Sequence, residues 1–429
     1  MAAMTFDLPA AASHRPSRDR SFERLWFGES LSFLGTGISQ IAIPLFALQH
    51  LDVGVLQFGV LNGLMWLPFA LLALPLGALA DSVKRRPLLL TAQAGRAALL
   101  LAIPALVWRD QLDYPGLLVI VALLGTLNVL FDVSFFAFVP SVVGGQGLVR
   151  ANSFLHGSQS VALVVGPAVG GVLIAAVGPA MAIGIDGLSF LVALGCLLTV
   201  RPRENPAGGW SITEIGRRIR RGAKITLGTR EIRAVMLQST SYNLYYYITI
   251  TLMYPYLLND LHATEGAIAR LLAISGIAAV VGSAVASRVA KKIGHGKTIL
   301  LSACNAPVAA SVWPLSMLLG SHQYLLLSVG WSLTFFGVGI NNVLVTSLRQ
   351  AMSPPDLLSS SNAAYRLAVW GVSPLGSVLA GAMASKLGFG PGFIAAWCVA
   401  ALVPLWIITS PVPRMRLLPS ATLDNAARR

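Results

Sequence analysis

Three carboxylic acids lie inside long apolar runs of this 429-residue chain: Glu29, Asp132 and Asp186. An ionised side chain at the centre of a bilayer costs ~2.5–3.5 kcal/mol on insertion scales, so each acid requires a partner or a water-filled cavity. Acids in such positions commonly take up and release protons. We interpret Asp132 as the first candidate protonation site, Glu29 as the second and Asp186 as the third.

The ionisable residues in these runs also have a second interpretation. Glu29 lies one or two helical turns from the end of its run, so it could simply reach the membrane interface. Asp186 could cap or hydrogen-bond neighbouring helices. Arg96, Arg270 and Arg366 are expected to extend their long side chains to the interface, although Arg270 could instead neutralise an anionic ligand.

A group of tyrosines adds polar side chains to another apolar run, with six of the nine tyrosines between positions 242 and 256. Tyr242, Tyr245 and Tyr246 are three or four residues apart and share one helical face. Their hydroxyls need partners, so we expect a polar cavity that holds a large amphipathic ligand. Its other candidate lining residues are Gln40, Asn341 and Asn342. The alternative is hydrogen bonding between helices of one half.

The composition places these residues in a membrane. The chain is 55% hydrophobic and 11% charged, with a mean hydropathy of +0.72, whereas a soluble domain carries about 25% charged residues. The net charge of +14 does not indicate nucleic-acid binding, because the cations lie in short loops between apolar runs. Cys196, Cys304 and Cys398 have no CxxC spacing, so neither a disulfide nor a metal site is predicted.

Twelve apolar runs are long enough to cross a bilayer, which takes ~20 residues. They span 24–48, 58–80, 88–108, 115–139, 152–177, 179–200, 234–258, 265–287, 298–319, 323–348, 361–385 and 391–411. Of the 31 lysines and arginines, two lie in the loops on the side opposite the termini, Arg109 and Lys386. Because cytoplasmic loops concentrate Lys and Arg, both termini are predicted to be cytoplasmic.

The two halves of the chain are related. A shift of 210 residues aligns Gly166 with Gly376 and Gly178 with Gly388, on either side of the one long loop. We therefore predict an all-α membrane protein whose twelve helices form two pseudo-symmetric six-helix bundles. The predicted parts are a cytoplasmic tail (1–23), a first bundle (24–200), a cytoplasmic linker (201–233), a second bundle (234–411) and a cytoplasmic tail (412–429).

The linker contains a basic stretch at 217–224. This pattern favours a surface helix that lies on anionic lipid headgroups. The alternative is a regulatory or partner-docking segment.

The turn between the second and third runs contains Gly77, Asp81, Arg85 and Arg86. Gly77 permits close packing of a neighbouring helix. Asp81 can lie at a helix N-terminus, where the dipole favours a carboxylate by ~0.3–1 kcal/mol, and the arginines can pair with an acid on the same side. The alternative is that these cations only set the topology.

The fifth run contains Gly166, Pro167, Gly170 and Gly171. Glycines four residues apart line one face of a helix and let a neighbouring backbone approach closely. Pro167 removes a backbone hydrogen bond and can kink the helix.

These two stretches resemble signatures of the major facilitator superfamily of transporters: the loop between helices 2 and 3, and the helix 5 motif of drug–proton exporters. Three further segments are similar to the branch that includes macrolide-efflux and enterobactin-export proteins: Leu25-Trp26-Phe27-Gly28, Phe131-Asp132 and Arg150-Ala151-Asn152-Ser153. The resemblance implies the major facilitator fold, a loop at Gly77–Arg86 that latches the outward-facing state, and export as the direction. An arginine common on helix 4 of other exporter branches is absent, so the proton-coupling residues are not carried over by resemblance.

The sequence thus predicts a proton-coupled secondary transporter that exports a drug-like molecule, siderophore or secondary metabolite across a bacterial inner or plasma membrane by alternating access. Its expected partners are the small-molecule substrate, protons and the bilayer, not nucleic acid, and we expect a monomer. No HExxH motif or phosphate-binding loop is present, so neither catalysis nor a cofactor or metal is predicted. The alternatives are a proton-coupled uptake symporter and a non-transporting scaffold or sensor.

Overall fold

The computed structural model describes residues 20–200, 202, 212–318, 323–353 and 358–417, and within these ranges it is helical without strands. The helices are α1 Arg20–His50, α2 Val55–Ser82, α3 Arg85–Trp108, α4 Tyr114–Val177, α5 Pro179–Thr199, α6 Ile212–Gly228, α7 Arg230–Pro255, α8 Glu265–Ile293, α9 His295–Ser316, α10 Gln323–Met352, α11 Leu358–Trp370, α12 Ser373–Leu387 and α13 Phe389–Ile408. One π-helical turn, Tyr256–Asp260, continues α7, and a 3-10 turn, Val412–Arg414, follows α13. Most of both predicted tails and residues 203–211 of the linker lie outside the described residues.

Helix α4 contains the fourth and fifth predicted spans. Its 64 residues would extend about 96 Å if straight, three times the thickness of a bilayer core. The chain instead reverses direction between the two spans, because Phe135 and Leu155 belong to one buried cluster with Leu25 and Val200. The chain stays helical from Tyr114 to Val177, and Pro140 lies between the two predicted spans.

The eleventh predicted span is divided into α11 and α12. Pro374 cannot donate a backbone hydrogen bond, and its ring clashes with the carbonyl four residues earlier, at Trp370. Trp370 is the last residue of α11, and Pro374 lies in the first turn of α12. The break leaves the side chain of Trp370 on an internal cavity described below.

Within the described residues, ten helical segments are long and apolar enough to cross a membrane, and one of them, Ala364–Leu387, runs over α11 and α12 together. Val165–Val177 forms a shorter apolar segment within α4. Helix α7 has 26 residues but is less apolar, because it carries many tyrosine, serine, threonine and asparagine side chains. Ten of the twelve predicted runs therefore meet the criteria of length and composition in the described residues. The other two are the second part of α4 and α7.

Three helix connections consist of a single glycine. Gly178, Gly294 and Gly388 each end one helix and begin the next, with φ of +79°, +95° and +80°. This left-handed region is accessible to glycine at no steric cost. Gly178 and Gly388 are one of the pairs aligned by the 210-residue shift, so the two positions perform the same turn.

Helix packing follows two groups. Helix α1 packs against α4 and α5, and α3 packs against the same two helices. In the second group, α10 packs against α8 and α9, and α13 packs against α7 and α9. The main contacts between the groups are made by α2 with α12 and by α4 with α8.

The gap between these groups is closed at one end. At the start of α2, a Cβ on Gly59 would lie 2.6 Å from the carbonyl oxygen of Ser377, so α2 and α12 touch through their backbones. Near the other end of α2, a Cβ on Gly77 would meet nothing within 4 Å. The helices therefore separate toward the end of α2.

Candidate functional site

An internal cavity of about 290 Å³ lies between the separated helices. Helices α1 to α5 supply most of its wall and α11 supplies the rest. Its polar and charged lining residues are Glu29, Ser32, Thr36, Ser39, Gln40, Arg96, Asn128, Asp132, Gln159, Asp186 and Arg366. All three carboxylic acids selected from the sequence therefore reach one cavity, and of the six expected cavity-lining residues Gln40 does so.

Glu29 ends a chain of side-chain hydrogen bonds that runs through Gln93 to Arg96. Its side chain is 1% exposed, so it does not extend to the membrane interface. The Gln93 amide nitrogen donates to Glu29 Oε1 at 2.7 Å, and Arg96 Nη2 donates to Gln93 Oε1 at 2.8 Å. Glu29 Oε2 is buried and accepts no hydrogen bond from the described residues. A carboxyl with one unmatched oxygen is a chemically reasonable place for a proton.

Arg96 lies at the centre of the wall, and the prediction that it reaches the interface is wrong. It is 6% exposed and its guanidinium lies over the rings of Phe131 and Phe190, 4.1 and 4.5 Å from their centroids. Arg96 Nη1 also donates to Asn128 Oδ1 at 3.3 Å. Two aromatic faces and two side-chain acceptors hold the charge inside the protein, which makes extension to lipid headgroups unnecessary.

Asp132 and Arg366 face each other across the cavity. Arg366 Nη2 lies 3.9 Å from Asp132 Oδ2, and the two side chains are 41% and 45% exposed. This separation is an ion pair and is too long for a hydrogen bond. Arg366 comes from α11 and lies over the ring of Phe69, 5.3 Å from its centroid. Arg366 is therefore also a cavity residue, contrary to the prediction that it extends to the interface.

Asp186 has a more enclosed position. Ser39 donates to its Oδ2 at 2.5 Å and Ser189 to its Oδ1 at 3.1 Å. A Cβ on Gly35 would collide with the Asp186 carboxylate, so glycine lets α1 approach α5 at this point. This geometry matches the interpretation that Asp186 hydrogen-bonds a neighbouring helix, while the residue still borders the cavity.

The three candidate tyrosines of α7 pack against α10 and not against the cavity. Tyr242 donates to the Thr334 carbonyl oxygen at 2.8 Å, and the Tyr245 hydroxyl lies 2.9 Å from Thr334 Oγ1. Tyr246 stacks on Trp331, with ring centroids 5.6 Å apart. None of the three borders the cavity, so the prediction that they line it is wrong, and the alternative of hydrogen bonding between helices describes Tyr242 and Tyr245.

The two expected asparagines are also outside the cavity lining. Gln238 donates to Asn341 Oδ1 at 3.2 Å, which joins α7 to α10. Asn342 is exposed on α10. Neither residue therefore supplies a polar group to the cavity in this conformation.

The turn after α2 carries the other predicted motif. The close packing expected at Gly77 is absent, and the side chain of Asp81 lies outside the described residues. Arg86 Nη2 donates to the Leu198 carbonyl oxygen at 2.8 Å, where a cation stabilises the negative end of α5. Arg85 begins α3.

The glycines of the fifth span make a close helix contact. A Cβ on Gly166 would lie 2.9 Å from Gly37 Cα, and one on Gly170 would lie 3.1 Å from Ile38 Cα. Gly171 is buried and Pro167 half-buried on the same stretch of α4. The backbone of α1 is thus in direct contact with this helix, as expected for small residues four apart.

No group of three or more His, Cys, Asp or Glu side chains in the described ranges could hold a metal ion. The cavity instead offers proton acceptors, two cations and aromatic faces from residues such as Phe33, Trp66 and Trp370. Chemically, such a cavity can exchange protons with water and hold an amphipathic organic molecule.

Comparison with known proteins identifies the family. Residues 11–427 match the family model described as transmembrane secretion effector. The chain belongs to this family of the major facilitator superfamily. It is 25% identical to the multidrug efflux pump Tap of Mycolicibacterium fortuitum, covering 90% of this chain and 94% of that protein. It is 23% identical to the enterobactin exporter EntS of Escherichia coli O1:K1, covering 90% and 92%.

The fold is similar to that of a bacterial homologue of the iron transporter ferroportin in its inward-facing state. The TM-score is 0.72 at 16% identity, covering 91% of this chain and 98% of the other. The family and its structural neighbours are membrane transporters and not enzymes. The chain is accordingly a multi-pass membrane protein of the transporter class.

Several cavity residues were not selected from the sequence. Ser39 hydrogen-bonds Asp186 and Asn128 hydrogen-bonds Arg96, while Gln93, behind the lining, hydrogen-bonds Glu29. A single sequence gives no signal for such pairings across helices. Arg96 and Arg366 did carry a signal, because a cation inside an apolar run is itself unusual. A search for acids in other runs that could pair with each arginine would have placed both arginines at the site.

Proposed function

We propose that this chain exports a small amphipathic molecule from the cytoplasm in exchange for protons. The observation that supports this most directly is the cavity in which Asp132 of α4 faces Arg366 of α11. The pair connects the two helix groups across the cavity. An ion pair in that position responds both to protonation and to any relative movement of the groups.

The proposed architecture is two six-helix bundles, 24–200 and 234–411, joined by the 201–233 linker. The packing of α1 to α5 with one another and of α7 to α13 with one another supports this division. The aligned glycines support the repeat, because Gly166 packs against the first helix of one group and Gly376 packs against Leu244 of α7. The chain needs no second copy for this arrangement, and we propose a monomer.

The proposed orientation places both termini in the cytoplasm of a bacterial cell. The cation distribution supports this assignment, and it makes the closed α2–α12 end the extracytoplasmic side. The cavity then opens toward the cytoplasm, where a substrate would be loaded. In the opposite state, the segment Gly77, Asp81, Arg85 and Arg86 would close against the second bundle, which explains why Gly77 faces open space here.

Proton coupling is proposed to use Asp132 first and Glu29 second. A proton on Asp132 removes its attraction for Arg366 and so weakens the contact between the bundles. Loss of that proton restores the negative charge that Arg366 requires. The Glu29–Gln93–Arg96 row gives a second site whose charge state is linked to the same wall. Asp186 is proposed to hold α1 against α5.

The proposed substrate is a drug-like molecule, siderophore or secondary metabolite. Aromatic side chains such as Trp66, Phe69 and Trp370 would cover its apolar part, and the charged residues would bind its polar groups. The relatives named as a multidrug efflux pump and an enterobactin exporter support export over uptake.

The test begins with cells that contain or lack the chain. We expect cells with it to retain less of one or more amphipathic compounds in an untargeted comparison of toxic compounds and metabolites. The compound found in this way is then followed in inside-out membrane vesicles that carry a pH gradient. Accumulation inside those vesicles is expected, whereas depletion would indicate an uptake symporter and contradict the proposal.

A further inference from the structure

A second cavity, of about 510 Å³, lies where α7 begins and α13 ends. Its lining includes Arg230, Arg233, Arg414, Trp406 and Thr409. It shares no lining residue with the cavity that contains Asp132. Nothing in the proposed transport cycle uses it.

Among the described residues that line this cavity, all the charged ones are arginines. Arg230, Arg233 and Arg414 are exposed, no carboxylate lines the cavity, and none of the three arginines forms an ion pair within the described part of the chain. Arg233 Nη1 donates one hydrogen bond, to the Leu227 carbonyl oxygen at 3.2 Å. Most donors of the three guanidinium groups are therefore directed at solvent or at a bound anion.

The backbone increases this positive potential. Arg230 and Arg233 lie in the first turn of α7, where the helix dipole is positive and a basic residue is unfavourable. The side chain of the N-cap residue Thr229 accepts no hydrogen bond from that turn. The free backbone N–H groups of the turn therefore lack a capping side chain. Glu231 lies in the same turn but does not line the cavity. An anion at this site would bind the arginines and be favoured by the positive end of the helix dipole.

The position along the membrane normal identifies the source of the anion. Leu402, Leu405 and Ile408 of α13 are 43%, 49% and 55% exposed, so this helix carries an apolar strip that faces acyl chains. The arginines lie immediately beyond that strip. Trp406, half-buried and donating to Ser241 Oγ at 3.0 Å, lies at the same level, where tryptophan is enriched at the membrane–water interface. This is the depth of a phospholipid headgroup.

We infer that the cavity binds the phosphate of an anionic phospholipid, with Arg230, Arg233 and Arg414 as its ligands. Arginine donates paired N–H groups in a geometry that matches phosphate oxygens. The acyl chains would lie along Leu405 and Ile408. Because Arg233 is on α7 and Arg414 follows α13, one lipid would link the beginning of the first helix and the end of the last helix of the second group.

The experiment titrates phosphatidylglycerol into the full-length protein in detergent and measures bound lipid by native mass spectrometry. Phosphatidylcholine and inorganic phosphate are the comparison ligands. We expect phosphatidylglycerol to bind most tightly. Arg414→Gln should weaken it about five-fold, and the pair Arg233→Gln/Arg414→Gln about twenty-five-fold, on the basis of ~1 kcal/mol for each arginine near an anionic lipid surface.

Arg288→Gln is the matched control, because Arg288 is exposed on α8 outside the cavity. The end of α8 lies at the same end of the protein, since His295 and Gly296 hydrogen-bond to residues 416 and 415. The control should bind phosphatidylglycerol as the unaltered protein does, and all variants should unfold at similar temperatures. An equal loss in Arg288→Gln, or no loss in the double variant, would overturn the site. Inorganic phosphate binding as tightly as the lipid would overturn the headgroup assignment.

Discussion

The wall formed by α1, α3, α4 and α5 differs sharply from the interface between α7 and α10, although both are rich in polar side chains. In the first wall, Glu29, Arg96 and Asp132 line a cavity. Glu29 and Arg96 both hydrogen-bond Gln93, and Asp132 forms an ion pair with Arg366. At the α7–α10 interface, Tyr242 and Tyr245 are buried and both pair with Thr334. The charged residues of the first region line a cavity, whereas the polar residues of the second region are uncharged and hold two helices together.

The difference lies in charge and not in polarity. A tyrosine hydroxyl can be fully matched by one carbonyl or hydroxyl on the next helix, so it packs into a dry contact. A carboxylate or guanidinium needs several partners or water, and it keeps a cavity open around it. Among the charged residues that line the cavity, Arg366 comes from the second helix group, on the short helix α11.

The largest expected effect comes from Asp132→Asn. The amide keeps the shape of the side chain but cannot exchange a proton, so efflux driven by a pH gradient should fall to the level of vesicles without the protein. Asp113→Asn is the control, because Asp113 caps the start of α4 and lies outside the cavity. Efflux by Asp132→Asn at the unaltered rate would remove Asp132 from the coupling scheme.

Arg366→Gln should have an intermediate effect. It removes the cation that faces Asp132 but leaves the proton-exchanging group, so we expect a loss of two- to about ten-fold in transport rate, on the basis of ~1 kcal/mol for a half-exposed ion pair. Arg366→Lys keeps a cation opposite Asp132 and should lose less transport than Arg366→Gln. An Arg366→Gln rate equal to that of the unaltered protein in vesicle assays would show that the ion pair plays no part in transport.

The glycines give a prediction about stability. Gly166→Ala places a methyl group 2.9 Å from Gly37 Cα, so it should lower the free energy of unfolding by ~1–3 kcal/mol, as overpacking does. Gly77→Ala meets no neighbour and should leave the unfolding temperature unchanged or slightly raised. Thermal unfolding in one detergent compares them. A Gly166→Ala protein as stable as Gly77→Ala would contradict the observed helix contact.

The smallest effect is expected for Tyr245→Phe. The change removes one hydrogen bond to Thr334, which is worth ~0.6 kcal/mol on average between membrane helices. Stability should fall slightly, while the KM for the exported compound stays the same. A large rise in KM with unchanged stability would indicate that Tyr245 contacts the substrate.

The sequence predicts the broad features of the fold well, because they depend on local patterns. Apolar run length predicts the spans, and glycine at Gly178 and Gly388 predicts the turns whose backbone requires it. Two features depend on non-local geometry and were not predicted. These are the helical reversal inside α4 and the division of α11 from α12 at Trp370, although Pro374 offered a local signal for the second.

The candidate site could also be predicted only in part from the sequence. Glu29, Asp132 and Asp186 are recognisable because an acid inside an apolar run is costly. Their partners are not, because Gln93 and Ser39 are ordinary polar residues until the helices that carry them meet. The tyrosines of α7 were misplaced for a related reason: their helical spacing shows that they share a face, but not whether that face meets water or Thr334.

The most direct test of proton exchange follows the proton itself. Inside-out vesicles containing the protein are acidified inside, and a fluorescent dye reports the pH gradient while the exported compound is added outside. We expect the compound to accumulate and the vesicle interior to become less acidic at the same time, with neither change in vesicles that contain Asp132→Asn. Accumulation of the compound without any change in the internal pH would contradict proton coupling through this cavity.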